Sequence, residues 1–385
     1  MGNKPKLVRI TTIPISLDKL LGGQLQFMQN HYDVIAISSE KDYLEKVGKR
    51  EGVKTHHLEM TRQITPYHDF VALLKLTWYF IKTKPDMVHS HTPKAGIVGM
   101  FAAYLARVPH RFHTVAGLPL LEAQGKKRAV LDFVEKLTYA FATKVYPNSE
   151  GLKEIILTNG YCKSDKLKVL ANGSTNGINT THFSTAHFSF AEKEALKEKL
   201  EIQENDFVYI FVGRLVTDKG INELVAAFKK LKINHPNAKL LLVGPLETEL
   251  DPLSSATLEA IENVKEIKAV GYQNDVRLYF AIANCLVFPS YREGFPNVVM
   301  QAGAMGLPSI VTNINGCNEI IGKGENGLII PTKEEKALLE AMLQCMEDET
   351  FYAILKQNAR PMIVDRYEQK VVWEAILKEY GEFCS

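Results

Sequence analysis

The sequence predicts an α/β protein made of two parallel-sheet domains, and three observations predict it. Short β-branched runs alternate with helix-length amphipathic segments, as in parallel sheets wrapped by helices. The alternation stops at residues 171–189, ANGSTNGINTTHFSTAHFS, and then restarts. That Gly-, Asn-, Ser- and Thr-rich stretch reads as a linker. Finally, 385 residues correspond to roughly two domains at ~100–200 residues each. The expected division is residues 1–182, residues 183–365, and a C-terminal helix over 366–385 able to pack back on the first domain.

In the first half, strands are expected at Leu7–Thr12, Asp33–Ser38, Met87–Ser90, Phe112–Val115, Lys144–Tyr146 and Lys168–Leu170. Helical patterns lie at Asp69–Lys82, Ile97–Ala106 and Lys127–Ala142. In the second half, strands are expected at Phe207–Val212, Lys239–Val243, Ile267–Val270, Cys285–Pro289, Ser309–Val311 and Leu328–Ile330. Residues 333–385 read as two or three helices with no further strand.

Composition excludes several classes. Apolar residues are 46% and charged residues 23%, which excludes a disordered chain. No apolar run reaches the ~18 residues of a membrane span. The start, MGNKPKLVRITT, lacks an apolar core and carries no expected signal peptide. Cys162, Cys285, Cys317, Cys345 and Cys384 are far apart with no C-x-x-C pair, so a reducing cytoplasm is expected. Residues 1–182 hold 25 Lys+Arg against 15 Asp+Glu, and residues 183–385 hold 21 against 29. The halves are thus +10 and −8, and the basic half is expected to face something anionic, such as a phospholipid surface, unless the difference is drift in surface charge. It lacks the aromatic–basic pattern of nucleic-acid binders.

Ligands of open parallel sheets bind beyond the carboxyl ends of strands, so residues following strands are the candidates. After Val212 come Gly213, Arg214 and, at a helix start, Lys219. Glycine admits a ligand to the backbone, and an Arg fork with a Lys point charge suits a diphosphate. The alternative is a turn with two solvated cations. Gly244 and Gly271-Tyr272 follow the next two strands, either as tight turns or as room for a flat base. Residues 289–303, PSYREGFPNVVMQAG, carry the strongest signal. Pro296 suits a first helical turn, and the helix start offers amides to an anion. Glu293 lies in the loop beside it, where a carboxylate can accept hydrogen bonds from a sugar. Gln301 follows eight residues later.

In the first half, Gly22-Gly23 could admit a phosphate or form a plain turn. His89 and His91, two apart at a strand end, have no third metal ligand nearby. Arg62 could meet an anionic acceptor or be solvated. Lys126-Lys127-Arg128, following Leu118–Leu121, suits either docking at an anionic membrane or an ordinary helix start.

At Glu293-Gly-Phe-Pro and Gln301-Ala-x-Ala-x-Gly-x-Pro308 the sequence resembles the E-x7-E signature of family 4 retaining glycosyltransferases. Gly213-Arg214-Leu215 with Asp218-Lys219-Gly220 is similar to that family's donor diphosphate motif. Asn315-Gly316-Cys317-Asn318-Glu319 looks like its loop before the final strand. His89-Ser-His91-Thr-Pro-Lys94-Ala-Gly96, Gly117-Leu-Pro-Leu and Tyr146-Pro-Asn-Ser149 resemble the branch that builds bacterial capsules and surface polysaccharides.

The resemblance implies a GT-B fold, two Rossmann-like domains facing a cleft. It implies a nucleotide-sugar donor, by family habit UDP-linked, and a lipid-linked sugar acceptor at the inner face of the cytoplasmic membrane. By that resemblance Arg214 and Lys219 bind the donor diphosphate and Glu293 the donor sugar. Gly213, Gly244, Tyr272, Phe295, Pro296, Asn297 and Val298 line the donor site, and position 301 holds the ribose. Gly22, Gly23, Arg62, His91 and Lys94 would serve the acceptor.

The chain departs from the family twice. Gln301 replaces the second Glu, and Ala116 stands where many members carry His. The chain has no Asp-x-Asp motif, so no metal or cofactor is expected and the cations would stabilise the leaving diphosphate. The rival readings are a nucleotide-sugar epimerase of the same fold and a non-catalytic nucleotide-sugar-binding subunit.

Overall fold

The computed structural model describes residues 4–63, 65–118, 120 and 123–383. They form two units: one runs up to Gly177 and resumes at Gln369, and the other is Ile178–Glu368. The break lies at Gly177–Ile178 rather than after residue 182. Residues 178–180 are tied to the second unit, because Ile178 N donates to Tyr367 O at 2.7 Å and Thr180 N to Glu368 Oε2 at 3.1 Å. At the far end the chain changes unit at Glu368–Gln369, rather than at 365–366.

The first unit is built on β1 (Lys6–Ile10), β2 (Asp33–Ser38), β3 (Lys54–His57), β4 (Met87–Ser90), β5 (His110–Val115) and β6 (Lys144–Pro147). Their order is β3-β2-β1-β4-β5-β6 and all pairs are parallel. β3 is missing from the expected strands because KTHH is a polar, largely exposed edge with no apolar pattern. The strand expected at Lys168–Leu170 is absent: Leu167 makes a single bridge to Val145. There a 3₁₀ turn at Ser164–Lys166 precedes it, and Lys168 is drawn to Glu379.

One face of this sheet packs under helices Pro66–Thr83, Pro93–Leu105 and Gly125–Phe141, through Ile10, Val88, Leu76, Phe80, Met100 and Tyr139. The other face buries Leu7, Val34, Phe112 and Tyr146 against the last helix, Gln369–Gly381, through Val372, Ile376 and Tyr380. Alternate apolar residues on both faces of β1 are what a sheet covered on both sides demands.

The second unit repeats the plan. Its strands are β7 (Phe207–Val212), β8 (Ala238–Val243), β9 (Ile267–Ala269), β10 (Cys285–Phe288), β11 (Ser309–Thr312) and β12 (Gly327–Ile330). The order is β12-β11-β10-β7-β8-β9, again parallel. The first helix starts where the linker ends: Ser189 Oγ accepts from Glu192 N, and Glu192 reaches back to Ser189 N at 2.8 Å, a capping box. In each sheet the strand order reverses beside the first strand, between β1 and β4 and between β7 and β10. Those switch points are where such sheets take ligands. Among the described residues no helix is long and apolar enough to cross a membrane.

Candidate active site

β7 and β10 deliver the charged residues of the second unit to its switch point. Beyond β7 the chain passes Gly213 and Arg214 and makes a 3₁₀ turn at Thr217–Lys219 before helix Ile221–Asn234. Beyond β10 it passes Ser290 and Glu293 before helix Asn297–Ala304, whose N-cap is Pro296. Lys219 Nζ lies 2.5 Å from Glu293 Oε1, and Ser290 Oγ donates to the same oxygen at 3.0 Å. Arg214 Nη1 lies 2.6 Å from Glu247 Oε2, and Arg292 Nη2 lies 2.9 Å from Asp218 Oδ2. Three cations thus stand beside three carboxylates on neighbouring loops.

The backbone around them is packed too closely for side chains. A Cβ on Gly244 would fall 1.8 Å from Gly213 O, and the glycine φ values are 147° and 154°. These two glycines and Gly271 leave the rim of β7, β8 and β9 without side chains, with Gly244 N donating to Gly271 O at 2.9 Å. Gly316, at φ 71°, lies against the turn before the active helix: its Cβ would meet Gly294 O at 2.7 Å and Phe295 Cα at 2.8 Å. Asn315 Nδ2 also donates to Glu293 O at 3.4 Å. The loop carrying Glu293 is therefore held from behind.

Phe295 packs edge-on against Tyr367, with ring centroids 5.5 Å apart, and Pro296 is buried. Val298 is half-buried against the core, while Asn297 is exposed. The half-buried Gln301 side chain has no hydrogen-bond partner among the described residues. Tyr272 is exposed beside Gly271. The hydrogen bond to Glu247 raises the pKa of Arg214. Burial, then the Glu293 charge, pushes the Cys317 thiol well above its usual value. Cys317 is therefore protonated and no nucleophile. Cations at a glycine rim and a helix start can hold a diphosphate, while Glu293 can accept from hydroxyls.

The first-unit candidates are largely occupied. Gly23 N donates to both oxygens of the buried Glu51 carboxylate, at 3.2 and 3.0 Å, so that acid sits where an anion was expected. The two glycines have packing reasons as well: a Cβ on Gly22 would lie 2.8 Å from Asp18 O, and one on Gly23 would lie 2.8 Å from the Trp373 ring. Lys94 Nζ is clamped by Asp69 Oδ2 and Gln63 O, both at 2.5 Å. Arg62 is exposed.

His89 is bonded through both ring nitrogens, to the Tyr380 hydroxyl and, at 2.7 Å, to Thr114 Oγ1. His91 is buried with neither ring nitrogen bonded among the described residues, and it lines a cavity with Thr114, Asn148, Ser174 and Thr175. Burial, then the neighbouring His89, holds His91 well below the usual histidine pKa and so neutral. Among the described residues no three His, Cys, Asp or Glu side chains gather as a metal cage.

Among the described residues, the patch expected to meet a membrane lacks its apolar part at the surface. Leu118 and Leu120 are buried, and Pro119 and Leu121 lie outside the described residues. Arg128 is tied to Asp132 Oδ1 at 2.8 Å and Tyr161 OH at 3.0 Å, leaving Lys126 and Lys127 exposed.

Residues 192–362 match the family model "Glycosyl transferases group 1", and residues 27–173 match "Glycosyl transferase 4-like domain". The chain is 35% identical over 382 residues to the capsular polysaccharide biosynthesis glycosyltransferase CapM of Staphylococcus aureus, covering 98% of this chain and 97% of that one. It is a family 4 glycosyltransferase of the capsular branch.

The enzyme is also 28% identical over 379 residues to the UDP-Gal:alpha-D-GlcNAc-diphosphoundecaprenol alpha-1,3-galactosyltransferase of Escherichia coli, covering 95% of this chain and 94% of that one. Its GT-B fold matches the crystal structure of Anabaena HepE in complex with UDP and glucose, with a TM-score of 0.81 at 17% identity over 98% and 100% of the two chains.

Sequence reasoning brought Arg214, Lys219 and Glu293 of this glycosyltransferase forward, and Asp218 as part of their motif, but missed Ser290, Glu247 and Arg292. Ser290 directly follows β10 and its neighbour Pro289, so the strand-end rule applied to neutral residues finds it. Glu247 lies three residues past Gly244, and no local pattern marks its partner as Arg214.

Proposed function

We propose that this glycosyltransferase moves a sugar, with retention, from a UDP-linked donor to a lipid-linked saccharide during capsule or surface polysaccharide synthesis. The observation that carries the reading is the Lys219–Glu293 pair at 2.5 Å beside Arg214 at the switch point of the second unit. Arg214 and Lys219 would leave Glu247 and Glu293 to bind the diphosphate. They would then stabilise the charge that grows on it as the glycosidic bond breaks, a term stronger in the transition state than in the ground state. Glu293, released from Lys219, would hold donor-sugar hydroxyls. The amides of Asn297 and Val298 would add donors at the helix start. Gln301 would accept from the ribose.

With Cys317 protonated, the thiol nearest Glu293 offers no thiolate for a double displacement. The favoured course is attack from the face the diphosphate leaves, with that diphosphate taking the acceptor's proton. The acceptor would belong to the first unit, where neutral His91, its ring nitrogens unbonded among the described residues, can exchange hydrogen bonds with a sugar hydroxyl. The E. coli relative acts on a diphosphoundecaprenol-linked sugar by its description, and this supports an acceptor of that kind here. No metal is assigned a role, and turnover in EDTA is expected.

The test incubates the enzyme with a panel of nucleotide sugars, with and without a polyprenyl-diphosphate monosaccharide, and reads products by mass spectrometry and anomeric configuration by NMR. The reading expects an acceptor one sugar heavier, with the donor's configuration, and no donor conversion without acceptor. An acceptor-independent epimer would establish the epimerase reading instead, and an inverted product would end the retention claim.

A further inference from the structure

Helix Pro66–Thr83 is apolar on two opposite faces. Ala72, Leu76 and Phe80 are buried against the sheet. Tyr67, Phe70, Leu74, Trp78 and Ile81 point the other way and are 52–76% exposed. At about 100° per residue the outward five fall within roughly 80° of arc. Among the described residues nothing covers this stripe. A soluble helix needs one apolar face, and a second, continuous one marks a surface for a partner.

The surroundings say which partner. Lys75 and Lys82 are exposed along one border of the stripe, and Lys84 follows the helix end. Lys82 Nζ lies 5.2 Å over the Trp78 ring. The helix's one acid, Asp69, is already bound to Lys94. The first unit has 27 Lys+Arg against 18 Asp+Glu, a net +9, while the second is −7. Helix Pro93–Leu105, in the same layer, ends on exposed Tyr104 and Leu105, and helix Gly125–Phe141 exposes Val130 and Phe133. Aromatic rings prefer the boundary between headgroups and acyl chains, and lysines beside them meet anionic headgroups.

We propose that helix Pro66–Thr83 lies in the surface of an anionic phospholipid bilayer and docks the enzyme there by its Tyr67–Phe70–Leu74–Trp78–Ile81 stripe. The inference rests on the reading of a lipid-linked acceptor, which must be met at such a surface. It moves the contact from residues 118–128 to this helix. The forces are burial of apolar side chains plus headgroup attraction, so binding should depend on both the stripe and the lysines.

The test is sedimentation with vesicles of phosphatidylglycerol and phosphatidylcholine, against phosphatidylcholine alone. Wild type should bind the anionic vesicles, less so in high salt. The triple variant Phe70→Ser/Leu74→Ser/Trp78→Ser should lose at least about tenfold in partitioning while keeping its circular dichroism and thermal midpoint, since all three side chains are exposed. Lys75→Glu/Lys82→Glu should weaken only the anionic binding. Trp78→Phe should still sediment but lose the blue shift of Trp emission that wild type shows on binding. Equal sedimentation of wild type and triple variant overturns the proposal. A lipid-independent dimer that the triple variant cannot form also overturns it, in favour of a second copy. Transfer to a short-chain, water-soluble acceptor separates the two claims. If it persists in the triple variant while vesicle binding does not, both stand. If no variant or wild type transfers to any acceptor, the functional reading fails independently of docking.

Discussion

Lys219 Nζ and Glu293 Oε1 are 2.5 Å apart across two loops that leave different strands, β7 and β10. Both side chains are largely buried, and each is the other's counter-ion. On the proposed reading, donor binding would exchange partners rather than fill a vacancy: the diphosphate would take Lys219, and the sugar hydroxyls would take Glu293.

Removing either cation tests that exchange. Lys219→Ala and Arg214→Ala should each lower kcat by about 10²–10³, the scale of losing one preorganised electrostatic partner. Arg214 is half-exposed on a turn, so its variant's thermal midpoint should move little, whereas Lys219→Ala leaves Glu293 largely buried without its counter-ion and should lower the midpoint. Near-normal turnover in both variants would remove the diphosphate from these loops.

Glu247 makes the opposite prediction. It holds Arg214 at 2.6 Å in a pair that is half-exposed on the arginine side, and it repels an incoming diphosphate. An exposed pair is worth ~0–1 kcal/mol, so Glu247→Gln should tighten UDP binding by about two- to fivefold. Calorimetric titration reads this directly. Weaker binding in Glu247→Gln would mean that the carboxylate positions Arg214 instead.

Position 301 separates hydrogen bonding from charge. Gln301→Glu should keep or strengthen donor affinity, since a carboxylate accepts a ribose hydrogen bond more strongly than an amide. Gln301→Ala should weaken it by ~1–2 kcal/mol. Equal affinity in all three proteins would show that this side chain does not touch the nucleotide.

Burial gives the first unit two opposing pH responses. His113, bonded to Ser90 Oγ at 2.8 Å, is lowered by burial to a pKa of about 4. Folding then sheds protons between pH 6.5 and 4, so its contribution grows as pH rises through that window. His89 and His91 are lowered by burial as well and add the same sign. Glu135 is raised by burial to about 7. Its contribution is full below the ordinary carboxylate value and is lost as pH rises to 7. Urea midpoints at pH 5, 6.5 and 8 should show Glu135→Gln more stable than wild type at pH 8 by up to ~3 kcal/mol, fading towards pH 5. His113→Gln should flatten the acid side. An unchanged midpoint of Glu135→Gln at pH 8 would mean the carboxylate is not held neutral.

The fold was legible because buried parallel strands are nearly continuous apolar runs, and FVYIFV at β7 or DVIAIS at β2 admits little else. The polar edge KTHH carried no such mark, and Lys168–Leu170 carried a false one. In the site, Arg214, Lys219 and Glu293 stood out as charges just past strand ends. The pairings Asp218–Arg292 and Arg214–Glu247 did not, because their members are 74 and 33 residues apart and only the strand order β10-β7-β8 brings them together. Gly22-Gly23 misled for a related reason. The anion that meets Gly23 is the protein's own Glu51, 28 residues on. The stripe on helix Pro66–Thr83 was hidden because a helix apolar on two faces has no clear amphipathic period.

The central claim is that a nucleotide-sugar diphosphate is held by Arg214 and Lys219 at the start of helix Asn297–Ala304. A crystal structure with a non-hydrolysable UDP-sugar tests it most directly. The account predicts the Lys219–Glu293 pair opened, diphosphate oxygens within hydrogen-bond distance of Arg214, Lys219 and the amides of Asn297 and Val298, and Glu293 on the sugar. A diphosphate bound elsewhere, with Lys219 still on Glu293, would contradict it.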